Sequence, residues 1–350
     1  MAETDAGVRA VELLEQLVAI PSVTGSESTV IDFLEKRFER DWTVRSIPVS
    51  EGRRNLLIQR QSPRVVLTTH ADTVPEYFPP RRTGNSLHAR GACDAKASLA
   101  AMSVALEDLE QDAVGLLVLV GEERGSDGAI AADRAAPPGV DFLIGGEPTG
   151  NRFVAGSKGC LRIEAETRGV AGHSSLPRSQ ASAIDRLLDF LGALRKESFP
   201  VHPVFGATTA NIGVLGGGSA PNVTADRAFA EILLRTGEPV EKLLDRIGVL
   251  AKDLADIRVA YRSEAIFFRV PRGVRGEIVA FASDLPLLSS WGEPLLIGPG
   301  AIEHAHSADE SVDLDEVQEA HRIYKDLARR LLARGRDSLE PKSRVDSVVR

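Results

Sequence analysis

The sequence predicts an α/β protein, with a mainly parallel sheet flanked by helices and interrupted by an inserted ferredoxin-like α+β module. Three observations carry that expectation. Up to about residue 150, helically spaced apolar residues alternate with compact apolar runs, the rhythm of βαβ units. From about Arg152 the pattern reads strand, helix, strand, strand, helix, strand, the order of a ferredoxin-like module. After about Pro271 the α/β style returns, so the simplest architecture is one domain carrying an insertion.

The elements follow in order. Val11, Leu14 and Leu17, then Val30, Phe33 and Leu34, recur at helical spacing, and Val65-Val66-Leu67 is a strand-like run. Leu99, Met102, Leu106 and Leu109 form the apolar stripe of a helix, followed by buried-looking strands at Gly115 to Val120 and Phe142 to Ile144. In the insertion, Leu161, Ile163 and Ala165 alternate with charged residues, as in a sheet with one wet face. A helix carrying Ile184, Leu187, Leu188 and Leu191, strands at Thr208 to Val214 and Ala228 to Leu234, and a helix carrying Val240, Leu243, Leu244, Ile247 and Leu250 come next. One strand from Ile257 to Phe268 completes the module. An apolar strand at Pro294 to Ile297, a Gly298-Pro299-Gly300 turn and a helix with Val317, Ile323, Leu327 and Leu331 close the domain. The tail from Arg334 to Arg350 has few large apolar residues and is expected to fray.

Composition bounds the partners. The 350 residues are 43% hydrophobic and 26% charged, ordinary for a soluble globular chain with room for two domains. A net charge of −8 repels phosphate backbones, so nucleic acid is not an expected partner. Cys93 and Cys160 are too few for a disulfide framework or a zinc ribbon and suit a reducing compartment. The acidic start, Met1 to Asp5, and the short longest apolar run, Val114 to Val120, predict no membrane partner and a cytoplasmic location.

Of the seven histidines, at 70, 88, 173, 202, 304, 306 and 321, His70 stands out. It follows the run Val65 to Thr69 and precedes Ala71-Asp72, just beyond the carboxyl end of a predicted parallel strand, where ligands of open α/β sheets bind. Its neighbour Asp72 can accept the second N–H of the imidazole, as carboxylates behind metal-ligating histidines do. Gly121-Glu122-Glu123 and Gly146-Glu147-Pro148 end two further strands. Adjacent glutamates usually make a solvated turn, but carboxylates following an apolar strand are costly to bury unless cations or donors meet them. Asp94 precedes the helix of Leu99 and Met102, where an N-cap is the ordinary role. Imidazole and carboxylates without a cysteine pair match a hydrolytic two-metal site better than structural zinc. Competing chemistries lack their signatures: Ala155 to Gly159 is the nearest approach to a G-x-S-x-G elbow, Gly216-Gly217-Gly218 lacks dinucleotide spacing, and no H-E-x-x-H or Walker sequence occurs.

These residues resemble the M20-type dinuclear zinc amidohydrolases and peptidases, nearest to the acetylornithine deacetylase and succinyl-diaminopimelate desuccinylase group. Five motifs match in order: Thr69 to Pro75, Arg90 to Lys96, Gly121 to Glu123, Gly146 to Thr149 and Ala305 to Glu310. Ala97 departs from the pattern, standing where a glycine commonly follows the lysine. The resemblance implies two divalent metal ions, zinc first and cobalt as a substitute. It makes Asp94 the bridge, with His70 and Glu147 on one ion and Glu123 and His306 on the other. Glu122 would be the general base and Asp72 would orient His70. His306 is preferred over His304 because Asp309-Glu310 follows it three residues later.

The same resemblance implies a metal-binding catalytic domain over 1–151 and 270–335, a lid and dimerisation domain over 152–269, and a homodimer; the composition of the tail adds a flexible segment over 336–350. His173, in Ala171 to Ser175, would reach across the dimer to the oxyanion. Asn222 and Arg235 would hold the carbonyl or carboxylate of the substrate, the plain alternative for Arg235 being an exposed arginine at a strand end. The implied substrate is a small N-acylated amino acid, N2-acetyl-ornithine or a related N-acetyl basic amino acid first. Succinyl-diaminopimelate, lysine or ornithine carried on a small acidic carrier protein, and dipeptides are the alternatives on the same site. A non-catalytic binding homologue is the reading from another class, and its signature, loss of the base, is absent because Glu122 is present.

Overall fold

The computed structural model describes residues 2–175 and 182–340, which form two compact units. The first comprises residues up to Ala155, Phe268–Glu277 and from Ser283 onward; the second comprises Gly156–Phe267 and Ile278–Ala282. Among the described residues no helix is long and apolar enough to cross a membrane.

The sheet of the first unit runs Thr43–Ser50, Arg53–Gln59, Val114–Leu119, Val65–His70, Phe142–Gly145, Glu293–Leu296. Val65–His70 lies parallel between Val114–Leu119 and Phe142–Gly145, and Glu293–Leu296 is parallel to Phe142–Gly145. Every residue of Val65–His70 and Val114–Leu119 is buried, which is why both read as unbroken apolar runs. The sheet is mixed: Thr43–Ser50 and Arg53–Gln59 form an antiparallel hairpin at its edge, turned at Gly52 with φ 71°. Arg45, Pro48, Arg53 and Arg54 interrupt its alternation, so the sequence pattern does not announce it.

Helix Lys96–Asp108 explains the depth of this core. Its pattern predicts one apolar stripe, yet every residue from Lys96 to Leu106 is buried. It packs against strands Val65–His70 and Val114–Leu119 and against helices Ala2–Val18 and Leu314–Arg334. Ser98, Ala100, Ala101, Ser103 and Ala105 are small enough for neighbours to close on all sides. The Lys96 ammonium donates to the Leu17 and Ile20 carbonyls at 3.0 and 2.7 Å, so the end of Ala2–Val18 finds a cation there. Burial pulls that ammonium down to about 7.

One expectation needs correction. The tail does not fray from Arg334: Gly335–Ser338 forms a 3-10 turn, and Leu339 is buried in the first unit and bridges to Pro271. The buried Leu339 side chain is joined by hydrogen bonds from the Arg272 N–H to the Ser338 carbonyl and from the Glu340 N–H to the Val270 carbonyl, which together hold the segment. Residues 341–350 lie outside the described residues.

The second unit is a four-stranded antiparallel sheet in the order Thr209–Gly217, Arg227–Thr236, Gly159–Arg168, Asp256–Ser263. In register, Leu161 faces Leu234, Ile163 faces Ile232 and Ala165 faces Ala230, and these residues pack with helices Ala183–Lys196 and Val240–Ala251. This is the ferredoxin-like βαββαβ pattern. Its last strand stops at Ser263, short of the expected Phe268, and a separate pair of residues, Ile266–Phe267, follows. The interruption is functional for the fold, since Glu264 accepts the Val240 backbone N–H at the start of a helix. A small hairpin of Val201–His202 and Gly206–Ala207 is an addition that the sequence pattern does not show.

The packing of Lys96–Asp108 yields a direct test. Leu106→Ala removes a fully buried side chain and is expected to cost about 2–5 kcal/mol in urea unfolding. A loss below about 1 kcal/mol would show a helix that packs more loosely than described.

Candidate active site

Because Val114–Leu119, Val65–His70 and Phe142–Gly145 run parallel, their carboxyl ends share one edge of the sheet. His70 is the last residue of its strand, Glu122 opens a 3-10 turn after Leu119, and Glu147 follows Gly145 closely. Two more segments arrive from elsewhere in the first unit. Asp94 lies in the turn before Lys96–Asp108, and His306 in the loop after Glu293–Leu296.

Asp94 offers one carboxylate oxygen to each of two histidines. Its Oδ1 is 3.1 Å from His70 Nε2, and its Oδ2 is 3.3 Å from His306 Nε2. His306 Nε2 is also 2.9 Å from Glu123 Oε2, and ligating atoms of His70, Asp94 and Glu123 lie within 4.8 Å of one another. Atoms sharing a tetrahedral zinc ion lie roughly 3.3 Å apart. Asp94 is thus no N-cap: Ala95 occupies that position, without a side-chain cap, and the Asp94–Ala95 peptide is cis. His306 adopts φ 59°, a left-handed conformation that a histidine takes only when its surroundings hold it there.

Asp72 does more than its expected role. His70 Nδ1 lies 3.0 Å from the Asp72 backbone carbonyl and 3.5 Å from its carboxylate. The carboxylate itself accepts the backbone N–H groups of Glu122 and Glu123 at 3.1 and 3.2 Å and the Thr24 hydroxyl at 2.7 Å. One buried side chain therefore sits behind His70 and anchors the turn that carries both glutamates. The edge hairpin helps, since buried Asn55 accepts the Val120 N–H and donates to the Gly128 carbonyl on either side of that turn.

The electrostatics follow from burying so many acids together. Burial, reinforced by Asp284, Glu147 and Glu123, drives the Glu122 carboxyl well above the usual range. Burial, with Asp94, Asp284 and Glu123, does the same for Glu147, and burial also raises Glu123. Asp94 goes the other way: burial opposes its charge, but His306 and His70 outweigh burial and hold it low. His306 is raised to about 10 by Asp94 and Glu123, and in His70 the hydrogen bonds to Asp72 and Asp94 overcome burial to raise it well above normal. The excess of anions, with oxygen and nitrogen donors and no thiolate among the clustered residues, fits divalent metal ions.

Asp284 is a residue that sequence reading missed. It is buried, among the described residues neither carboxylate oxygen has a partner in hydrogen-bond geometry, and burial with the nearby Asp72 and Asp127 outweighs the Ser126 side chain and pushes it up to about 7. In the sequence it sits before Leu285-Pro286 like any turn-starting aspartate. Its neighbour Leu285 covers the Gly145 backbone, which places the segment against the strand end beside Glu147.

The remaining histidines have other duties. His88 lies 3.0 Å from Asp309, His202 Nδ1 accepts the Val204 and Phe205 N–H groups, His321 lies 2.8 Å from Asp108, and His304 is exposed. In the second unit, His173 bridges to Val223, its Nδ1 is 2.8 Å from the Ser175 hydroxyl, and Ser174 N–H donates to the Asn222 carbonyl. Those two candidate residues therefore share one exposed corner of the unit. Arg235 is the penultimate residue of strand Arg227–Thr236, paired with Thr209 and Cys160, and is half-buried where the plain alternative expected an exposed strand-end arginine.

The state of Asp284 can be read from pH. An acid raised from 3.8 to about 7 on folding favours the folded chain at low pH and withdraws that support as pH rises through this window. In metal-free protein, Asp284→Asn is therefore expected to improve thermal stability, relative to the unaltered chain, more at pH 8 than at pH 5. An equal change at both would show that the carboxyl is not raised.

Comparison with known proteins agrees with this geometry. Residues 155–259 match the family profile of a peptidase dimerisation domain. A peptidase M20 domain-containing protein of Schizosaccharomyces pombe is 34% identical over 341 residues, covering 91% of this chain and 84% of that protein. A probable carboxypeptidase of Aspergillus clavatus is 34% identical over 376 residues, covering 91% and 82%. An M20 family metallo-carboxypeptidase from Sulfolobus solfataricus shares the fold, with a TM-score of 0.74 at 15% identity over 91% of this chain and 98% of that one. The chain belongs to the M20 peptidase family and is a hydrolytic enzyme acting on amide or peptide bonds.

Proposed function

We propose that the chain is a metal-dependent exo-acting amidohydrolase. It cleaves the amide bond between an acyl or peptidyl group and an amino acid that keeps a free carboxylate. The observation that carries this reading is Asp94 turned between His70 and His306, beside the half-buried acid Glu122, whose carboxyl desolvation raises. Two zinc ions would be held by His70 and Glu147, by Glu123 and His306, and by Asp94 for both; when bound, they polarise the amide carbonyl and acidify water. Glu122 takes the proton from the attacking water and returns it to the leaving amine. Burial raises that carboxyl, and cations held by the neighbouring ligands would lower it, so that Glu122 could both accept and return the proton. Asp72, by fixing the backbone of Glu122 and Glu123, sets base and ligand in one register.

For the second unit, the family resemblance assigns His173 to the oxyanion, Asn222 to the substrate carbonyl and Arg235 to its carboxylate. A permanently charged guanidinium is the right group for the last task. The match of residues 155–259 to a dimerisation domain supports a homodimer. The peptidase name of the Schizosaccharomyces pombe relative and the carboxypeptidase name of the Aspergillus clavatus one favour a peptidyl group on the acyl side over N2-acetyl-ornithine, which stays in the test as one arm.

Amine release by zinc-loaded and chelated protein would be measured on N2-acetyl-ornithine, N2-acetyl-lysine, N-succinyl-diaminopimelate, dipeptides, tripeptides and C-terminally amidated peptides. Chelator-sensitive cleavage that requires the free carboxylate is expected. Equal cleavage of amidated peptides would reject the exo-acting specificity, and cleavage indifferent to chelation would reject the metal.

Variants separate the roles. Glu122→Gln is expected to lower kcat about 10²–10⁴-fold with metal content retained. Asp94→Asn should lose metal, and His173→Ala should lower turnover with fold and metal content intact. Metal lost from Glu122→Gln, or kept by Asp94→Asn, would reverse the assignment of base and bridge; unchanged turnover in His173→Ala would remove its oxyanion role.

A further inference from the structure

We infer that Glu310 is a positioning residue that sets Asp94 against His306, an inference that rests on the metal reading above. The two candidate ligands come from distant parts of the chain, and nothing local to either sets their 3.3 Å separation. Glu310 touches both segments. It follows His306 by four residues, and its buried carboxylate reaches into the turn that carries Asp94. There Oε1 accepts the backbone N–H groups of Cys93 and Asp94, each at 3.0 Å. Oε2 accepts from Arg90 at 2.7 Å, and Arg90 is buried too.

The backbone of Glu310 is fixed as firmly as its side chain. Its carbonyl accepts the Ala89 N–H, and Ser311–Asp313 pairs antiparallel with Ser86–His88. Arg90 in turn donates through Nε to the Glu76 carbonyl and lies over the Phe78 ring. A carboxylate that receives two consecutive amides and a guanidinium has little freedom left. The arrangement parallels Asp72, which receives the amides of Glu122 and Glu123. Each carboxylate holds the backbone of a candidate ligand without being a candidate ligand itself, the arrangement that tunes metal sites from behind.

A merely structural role is separated by two double variants. Arg90→Met with Glu310→Gln removes both buried charges while the glutamine oxygen still accepts the Cys93 and Asp94 amides. Arg90→Met with Glu310→Leu removes the charges and the acceptor together. Neither leaves a buried charge unpaired, so both are designed to fold. Thermal unfolding of the metal-free chains establishes that their stabilities match, and zinc affinity is read by competition with a chromophoric chelator. The expected affinity is within about threefold of the unaltered chain for the glutamine pair and about 10–100-fold weaker for the leucine pair. Equal affinity in the two pairs overturns the role of Glu310 and leaves the metal reading standing, whereas no zinc binding by the unaltered chain overturns both. Should the leucine pair not fold, Glu310→Asp, which keeps the charge but shortens the reach, takes its place. The same loss is expected, and parent-like affinity overturns the role.

Discussion

Burying several carboxylates at one edge of a sheet is the constraint around which the first unit is arranged. An ionised carboxylate taken out of water is costly unless donors or cations replace the lost hydration. Three solutions occur within one cluster. Asp72 and Glu310 are met by consecutive backbone amides, with Thr24 and Arg90 completing their shells. Asp94 and Glu123 are met by imidazoles. Burial raises Glu122, Glu147 and Asp284, and among the described residues neither carboxylate oxygen of Asp284 has a partner in hydrogen-bond geometry. Acids raised in this way are those for which bound cations or a mobile proton would complete the environment.

Holding that cluster demands a rigid scaffold, and the composition of the core supplies it. The parallel strands end where the acids begin, and a helix buried on every side lies behind them. Loops close on one another tightly: a Cβ at Gly298 would stand 2.4 Å from the Glu147 carbonyl oxygen, and one at Gly146 would stand 2.6 Å from the Ser98 side chain. Tyr324 donates to the Ile297 carbonyl, tying helix Leu314–Arg334 to the start of the loop that ends in His306. Such contacts limit how far the candidate ligands can move, and in an active site a misplacement of about 1 Å can cost about 10²-fold in rate.

On the proposed reading, reaction class and specificity fall to different units. The first holds the acids and imidazoles proposed to bind metal, and the second carries His173, Asn222 and Arg235, the residues proposed to meet the substrate. Reaction class follows from a ligand set, whereas substrate choice follows from walls and charges around it. That division is why membership of the M20 family is firm while the identity of the acyl group rests on experiment.

Much of this was legible in the residues alone, because the relevant signals are local. Strands Val65–His70 and Val114–Leu119 announce themselves as apolar runs, and the polar residues that follow a parallel strand fall at its carboxyl edge. His70, Glu122, Glu123 and Glu147 could therefore be found from strand ends, and the alternation of Leu161, Ile163 and Ala165 exposed the second sheet. What stayed hidden depends on contacts between distant segments. The edge hairpin, broken by arginines and a proline, becomes a strand pair only beside Val114–Leu119, and Leu339 leaves the expected frayed tail because the core accepts it. The anchoring work of Asp72, the isolation of Asp284 and the reach of Glu310 to Cys93 and Asp94 likewise have no local signature. Periodicity is written between near neighbours, but whether a buried charge meets a donor is settled by whatever the fold brings across from elsewhere.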